Sequence, residues 1–104
     1  MPKDKFFPEM ITTLLEADIP IGGVHSHLLQ GEKQQFIFMR FEKDVEVPEH
    51  LHEAQWGVVL DGKIEVTSDG KEYTCTKRGT TFVPRNVTHR AIIRRGYKDL
   101  TLFD

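Results

Sequence analysis

Asp61-Gly62 and Asp69-Gly70 constrain this chain more than any other feature. An apolar run, Trp56 to Leu60, precedes the first pair; Lys63-Ile64-Glu65-Val66-Thr67 lies between the two, and Lys71-Glu72-Tyr73-Thr74-Cys75-Thr76 follows the second. A glycine accepts the positive φ of a primed two-residue turn, so Asp-Gly between such runs predicts an antiparallel hairpin at each place. Ile64 and Val66 alternate with Glu65 and Thr67, and Tyr73 and Cys75 alternate with Thr74 and Thr76. Each strand therefore has one buried face and one wet face.

The same rhythm extends in both directions. Val24-His25-Ser26-His27-Leu28-Leu29 reads as a strand closed by Gly31-Glu32-Lys33, and Gln35-Phe36-Ile37-Phe38-Met39-Arg40-Phe41 reads as a second. Val45-Glu46-Val47, Thr80–Val83, Thr88–Arg94 and Tyr97–Phe103 complete the series. Many short strands with almost no helix indicate an all-β sandwich or barrel. Ahead of them, Pro8 suits the start of a short helix, whereas Ile11-Thr12-Thr13 favours extended chain. We expect residues 1–21 to form an arm on the outside of a sheet and residues 22–104 to form the single domain.

Composition narrows the function classes. At 104 residues the chain encloses one core. With 38% hydrophobic and 29% charged residues it reads as soluble and folded. No apolar run approaches the ~20 residues of a membrane span. The first residues lack a secretory signal, and Cys75, the sole cysteine, permits no internal disulfide. These features lead us to expect a cytoplasmic protein. Seven basic and no acidic residues lie between Lys77 and Lys98. Because Arg90, Ile92 and Arg94 alternate with His89, Ala91 and Ile93, this stripe reads as a solvated strand face, not a nucleic-acid footprint.

The chemistry concentrates elsewhere. His50 and His52 are two apart, and on an extended strand both imidazoles aim into one space, a simple way for β-structure to offer two metal ligands. Gln55 follows three residues later, and His89 lies far along the chain. A lone His-x-His on a strand is usually surface chance; a distant third histidine folded against the pair makes a metal centre. His25 and His27 also share a strand face, and read first as structural or exposed.

The stretch from Pro48 to Gly62, Pro48-Glu49-His50-Leu51-His52-Glu53-Ala54-Gln55-Trp56-Gly57-Val58-Val59-Leu60-Asp61-Gly62, resembles the first motif of the cupins. Gly79-Thr80-Thr81-Phe82-Val83-Pro84-Arg85-Asn86-Val87-Thr88-His89 resembles their second motif, in the expected order and after an intervening hairpin. The resemblance covers roughly Gly22 to Phe103 and implies a cupin-type double-stranded β-helix, a jelly-roll barrel holding a divalent metal. It assigns His50, His52 and His89 as ligands. Gln55 stands at or beside the position where the family usually has glutamate, as ligand or as hydrogen-bond partner to one. Asn86 replaces the usual glycine, and asparagine tolerates the left-handed conformation such a turn needs.

Three histidines and an amide favour a transition metal (zinc, iron, nickel, manganese or copper) over magnesium or calcium, and would suit an anionic ligand. The resemblance implies a small-molecule metalloenzyme, dioxygenase- or isomerase-like, with Glu53 and His27 as candidate general bases. The alternative is a non-catalytic binding or sensing module that uses the same pocket. Gln35–Phe41 is apolar on both faces, which implies a second cover and hence a homodimer formed through this strand or the arm.

Overall fold

The computed structural model describes residues 6–17, 19, 21–50 and 53–104, with His50 described by its backbone alone. A single helical turn, α1 (Glu9–Thr12), is followed by ten strands: β1 (Leu15–Glu16), β2 (Val24–Gln30), β3 (Gln35–Phe41), β4 (Val45–His50), β5 (Gln55–Asp61), β6 (Lys63–Ser68), β7 (Lys71–Thr76), β8 (Thr80–Val83), β9 (His89–Ile93) and β10 (Lys98–Phe103). They form two sheets, one in the order β1-β2-β3-β10-β5-β8 and one in the order β4-β9-β6-β7. Every paired neighbour is antiparallel. Among the described residues no helix is long and apolar enough to cross a membrane.

The core lies between the sheets because each contributes one face of its alternating strands. Phe41, Val59 and Tyr97 pack against Cys75, Ala91 and Ile93, with Val24, Met39, Val45, Val47 and Ile64 at the margin. Val59 is 1% exposed. Arg90 is exposed while His89, Ala91 and Ile93 are buried, so the basic stripe is a strand face turned to solvent, as the alternation predicts.

The two Asp-Gly turns behave differently. Asp69 (φ 52°) and Gly70 (φ 75°) close a two-residue hairpin between β6 and β7, with Ser68 opposite Lys71. Asp61-Gly62 makes no hairpin, which corrects the expectation. Its flanking strands lie in different sheets: β5 pairs with β10 and β8, and β6 with β7 and β9. Only Gly62 has a positive φ there (81°), and a Cβ on it would stand 3.1 Å from Tyr97 Cα. The glycine is needed for a tight corner that carries the chain from one layer to the other. At the second-motif loop, Asn86 does adopt the left-handed conformation, with φ 63°.

In the N-terminal segment the Pro8 signal prevails over the extended one: Ile11 and Thr12, expected to favour extended chain, lie in the helical turn, and the chain extends only at Leu15–Glu16. Pro8 is the residue preceding the helical turn, its carbonyl accepting from the amides of Ile11 and Thr12, and the chain then straightens into β1 beside β2. Phe7 is buried against Phe38, with ring centroids 5.8 Å apart. Part of the outer face of β3 is therefore covered by this chain's own N-terminal segment.

Candidate functional site

His89 opens β9, with Ser68 of β6 opposite it on one side and His50 of β4 on the other. It is 6% exposed and shares its strand face with the core residues Ala91 and Ile93, which puts the imidazole in the interior. Nδ1 lies 3.4 Å from the Val87 carbonyl oxygen. In the tautomer that carries hydrogen on Nδ1, the ring donates to that carbonyl and holds its lone pair on Nε2, the arrangement that orients a metal-binding histidine.

The register of β4 bears directly on the first motif. Val47 stands opposite Ala91, and the next pairing is His50 opposite His89, so three steps on β4 match two on β9. The extra residue is a β-bulge, and Pro48 sits within it. Proline lacks the N–H that a regular ladder needs, and β4 is an edge strand, where bulges and prolines are tolerated. Uninterrupted alternation from Val47 would have put Glu49, not His50, in phase with the core residues. The bulge brings the His50 backbone directly across from His89. Alternation within His50–His52 says nothing about this upstream reset; Pro48 was the available signal.

His52 lies outside the described residues. Glu53 is exposed in the bend before β5. Gln55 is the first residue of β5, half-buried, with Val83 of β8 and Phe103 of β10 as its Cα partners, and it shares a strand face with buried Gly57 and Val59. His27 and His25 lie on the other face of the six-stranded sheet, out of phase with core-facing Ser26 and Val24. His25 Nε2 lies 3.1 Å from the Glu42 carboxylate. Trp56 is on that outer face too, 41% exposed, and so neither fills the interior nor lines it. Among the described residues no three histidine, cysteine, aspartate or glutamate side chains gather around one point. Among the candidate ligands, His89 is an interior imidazole with one nitrogen directed at a carbonyl, the arrangement that suits a metal-binding histidine.

One interior group escaped the sequence reading. Asp99 is 6% exposed and faces Met39 and Val59, between Tyr97 and Thr101 on the same strand face. The Tyr97 hydroxyl donates to its Oδ2 at 2.8 Å, while its Oδ1 is buried with no partner among the described residues. Burial pushes this carboxyl up to about 7, against the lowering effect of hydrogen bonds from Tyr97 and Thr101. Burial likewise raises the Tyr97 phenol, with the Asp99 charge adding to the effect. The two-residue rhythm of Tyr97-Lys98-Asp99-Leu100-Thr101 was the available signal, since it sets Asp99 in phase with Tyr97.

Two facing antiparallel sheets with a histidine from the second motif buried between them define a small β-sandwich of the jelly-roll kind. The family model described as "Cupin domain" matches residues 37–104, and the chain belongs to that family. Among solved structures it is similar to an RmlC-like cupin from Shewanella frigidimarina, at 25% identity over 97% of this chain and 90% of that one, with a TM-score of 0.77. It is also similar in fold to oxalate decarboxylase of Bacillus subtilis, a protein with Mn(II) centres, at 18% identity over 90% of this chain and 28% of that one, with a TM-score of 0.72. A curated relative is the glutamate–tRNA ligase of Methanosphaera stadtmanae, 34% identical over 98% of this chain. The chain spans only 18% of that ligase's length.

Proposed function

We propose that the protein is a metal-binding cupin that acts on a small molecule in its interior. The observation that carries this reading is the register of β4 on β9, which sets the backbones of the two motif histidines His50 and His89 face to face while the His89 ring is buried. His50, His52 and His89 would hold a divalent transition metal, with Gln55 as a further ligand or as the amide that orients one. The metal would supply Lewis acidity toward a substrate oxygen. The chain's own part is to fix the His89 tautomer through Val87 and to exclude water with the Val59–Ile93 core. The Mn(II) centres of the oxalate decarboxylase of similar fold support a redox-competent metal such as manganese or iron. Glu53, next to His52 in the sequence, is the candidate base.

Metal content by mass spectrometry on untagged protein tests this, with a His50→Ala/His89→Ala double variant beside it. About one transition metal per chain in the wild type and none in the variant is the expected result. A wild type that takes up none of zinc, iron, nickel or manganese would remove the reading.

The match to a short segment of a much longer ligase favours a second reading, a non-catalytic module whose pocket binds a small molecule on behalf of a larger assembly. Metal uptake without turnover of any small acid screened would favour it.

A second copy of the chain is the partner we propose for the outer face of the six-stranded sheet. Leu29, Phe36, Leu102, Trp56 and Phe82 pair in succession across β2, β3, β10, β5 and β8 as one apolar row. Phe82 is 59% exposed. The row offers on the order of 400 Å² of apolar surface, about half of what one partner buries in a standard interface and suited to its core. A straight row is self-complementary about a two-fold axis. Light scattering should report a dimer that Trp56→Glu dissociates; a monomeric wild type would end this proposal.

A further inference from the structure

The N-terminal segment forms one wall of an open cleft on the outer face of the six-stranded sheet, away from the interior that holds His89. Phe7 anchors it at one end, its ring set edge-on to Phe38 and to His27, whose centroid is 6.2 Å away. The pairing of Leu15 and Glu16 with Leu28 and His27 anchors the other end. Between the two anchors, α1 and β2–β3 leave a cleft of about 310 Å³.

Two observations set this cleft apart from a packing gap. His27, which lines it, is nine-tenths buried, and its Nδ1 is buried with no hydrogen-bond partner among the described residues. An imidazole nitrogen withdrawn from water without a partner is unfavourable, and a hydrogen-bonding group that reached it would relieve that cost. In addition, the sheet side of the cleft is pre-positioned. His25 and Arg40, cross-strand partners that also line the cleft, both engage Glu42, each at 3.1 Å. These contacts hold the Glu42 carboxyl below the usual carboxylate range, the hydrogen bond from His25 first and that from Arg40 second.

The two sides of the cleft differ in chemistry. The sheet presents a guanidinium and two imidazoles. The arm presents the Glu9 carboxylate and the hydroxyls of Thr12 and Thr13. Both hydroxyls donate to the Glu9 carbonyl, at 3.5 and 2.8 Å, so their remaining lone pairs accept. A ligand with a carboxylate at one end and an ammonium at the other matches both sides. A dicarboxylate would meet Glu9, and a diamine would meet Arg40. The volume is at the small end for ligand pockets, too small for a nucleotide with its sugar and phosphates.

We propose that this cleft binds a small zwitterion of the free amino acid class, with its carboxylate toward Arg40 and His27, its ammonium toward Glu9, and Phe7 as the apolar wall. Because Arg40 and His27 face away from His89, binding is independent of any interior metal.

The test is an amide-resolved NMR titration, with calorimetry in parallel, of the whole chain against the twenty standard amino acids. Acetate and ethylamine serve as single-charge probes, and each titration is run with and without a chelator. At least one amino acid should give saturable shifts centred on Phe7, His27 and Arg40, unchanged by the chelator. Acetate and ethylamine should bind at least about tenfold more weakly, and Glu9→Gln, on the exposed arm, and Arg40→Gln should each weaken the amino acid about tenfold. A folded spectrum with no saturable shift up to about 10 mM of any amino acid would overturn the proposal and leave a water molecule as the partner of His27. Acetate equalling the amino acids with Glu9→Gln silent, or loss of binding with chelator, would overturn it too.

Discussion

Replacing Asp99 by asparagine should change how stability responds to pH more than it changes the fold. The Asp99 carboxyl is buried between Met39 and Val59, its Oδ1 is unpartnered among the described residues, and its pKa is raised from 3.8 to about 7. The sign follows from proton counting. In the unfolded chain the group loses its proton near pH 4; in the native state it keeps it until about pH 7. Between those values the native state binds more protons than the unfolded state, so stability falls as pH rises. The slope approaches about 1.4 kcal/mol per pH unit and accumulates to about 4 kcal/mol, with nothing further lost above pH 7. Asparagine keeps an acceptor for the Tyr97 hydroxyl and carries no charge. Urea denaturation at pH 5 and pH 8 provides the assay, compared between wild type and Asp99→Asn. Wild type should be more stable at pH 5, and the variant should lose most of that difference while gaining stability at pH 8. A pH dependence identical in the two proteins, or a wild type more stable at pH 8 than at pH 5 with the variant unchanged, would refute the assignment of a protonated interior carboxyl. Tyr97→Phe supplies an internal check: it removes a donor that favours the ionised form, so the Asp99 carbon resonance should titrate at a higher pH than in the wild type.

Gly79→Ala should cost about 1–3 kcal/mol in chemical denaturation, because the new Cβ would lie 2.5 Å from Cys75 Sγ and 2.9 Å from the Thr76 carbonyl oxygen. Adding Cys75→Ala should recover part of that loss and leave the carbonyl clash. Asn86→Gly should shift stability by no more than about 0.5 kcal/mol, whereas Asn86→Val, forced to the same φ of 63°, should lose about 1–2 kcal/mol. Val59→Ala should destabilise by about 2 kcal/mol, since its side chain is fully enclosed and the cavity has no route to solvent.

Strand existence was legible because β6 and β9 alternate with one face toward the core, a pattern that period specifies. On the edge strand β7 only Cys75 is buried, and Tyr73, expected on the same buried face, is exposed. Family membership was legible because two motifs stood in the right order around them. Connectivity was harder to read. Asp61-Gly62 has the composition of a hairpin turn, yet whether the next strand folds back or crosses to the other sheet depends on which partners await β5, and those are β10 and β8, far along the chain. The candidate site had the same limit. The pairing of His50 with His89 depends on a bulge around Pro48, and a one-residue slip exchanges the faces of a strand. Asp99 went unread because a charged residue in the final strand looks like solvent exposure until the neighbours on either side are known. The double apolar character of β3 was visible, but its partial cover by Phe7 was not, since Phe6-Phe7 carries no periodic signal.

The position of β10 in the six-stranded sheet governs the order in which this molecule can be made. It is the strand that joins β3 to β5, so without it the sheet is two fragments, β1-β2-β3 and β5-β8, with open edges facing one another. Until residues 98–103 have left the ribosome, neither fragment can acquire its central ladder, and the apolar side chains of β3 and β5 must wait beside unpaired backbone. Such a sheet closes only once β10 has emerged, through distant contacts that form slowly, and before that its nascent form presents two strand edges to any passing chain. Ribosome-bound chains stopped before residue 98 should accordingly be protease-sensitive in the strands of the six-stranded sheet, and these should become resistant together once β10 is supplied.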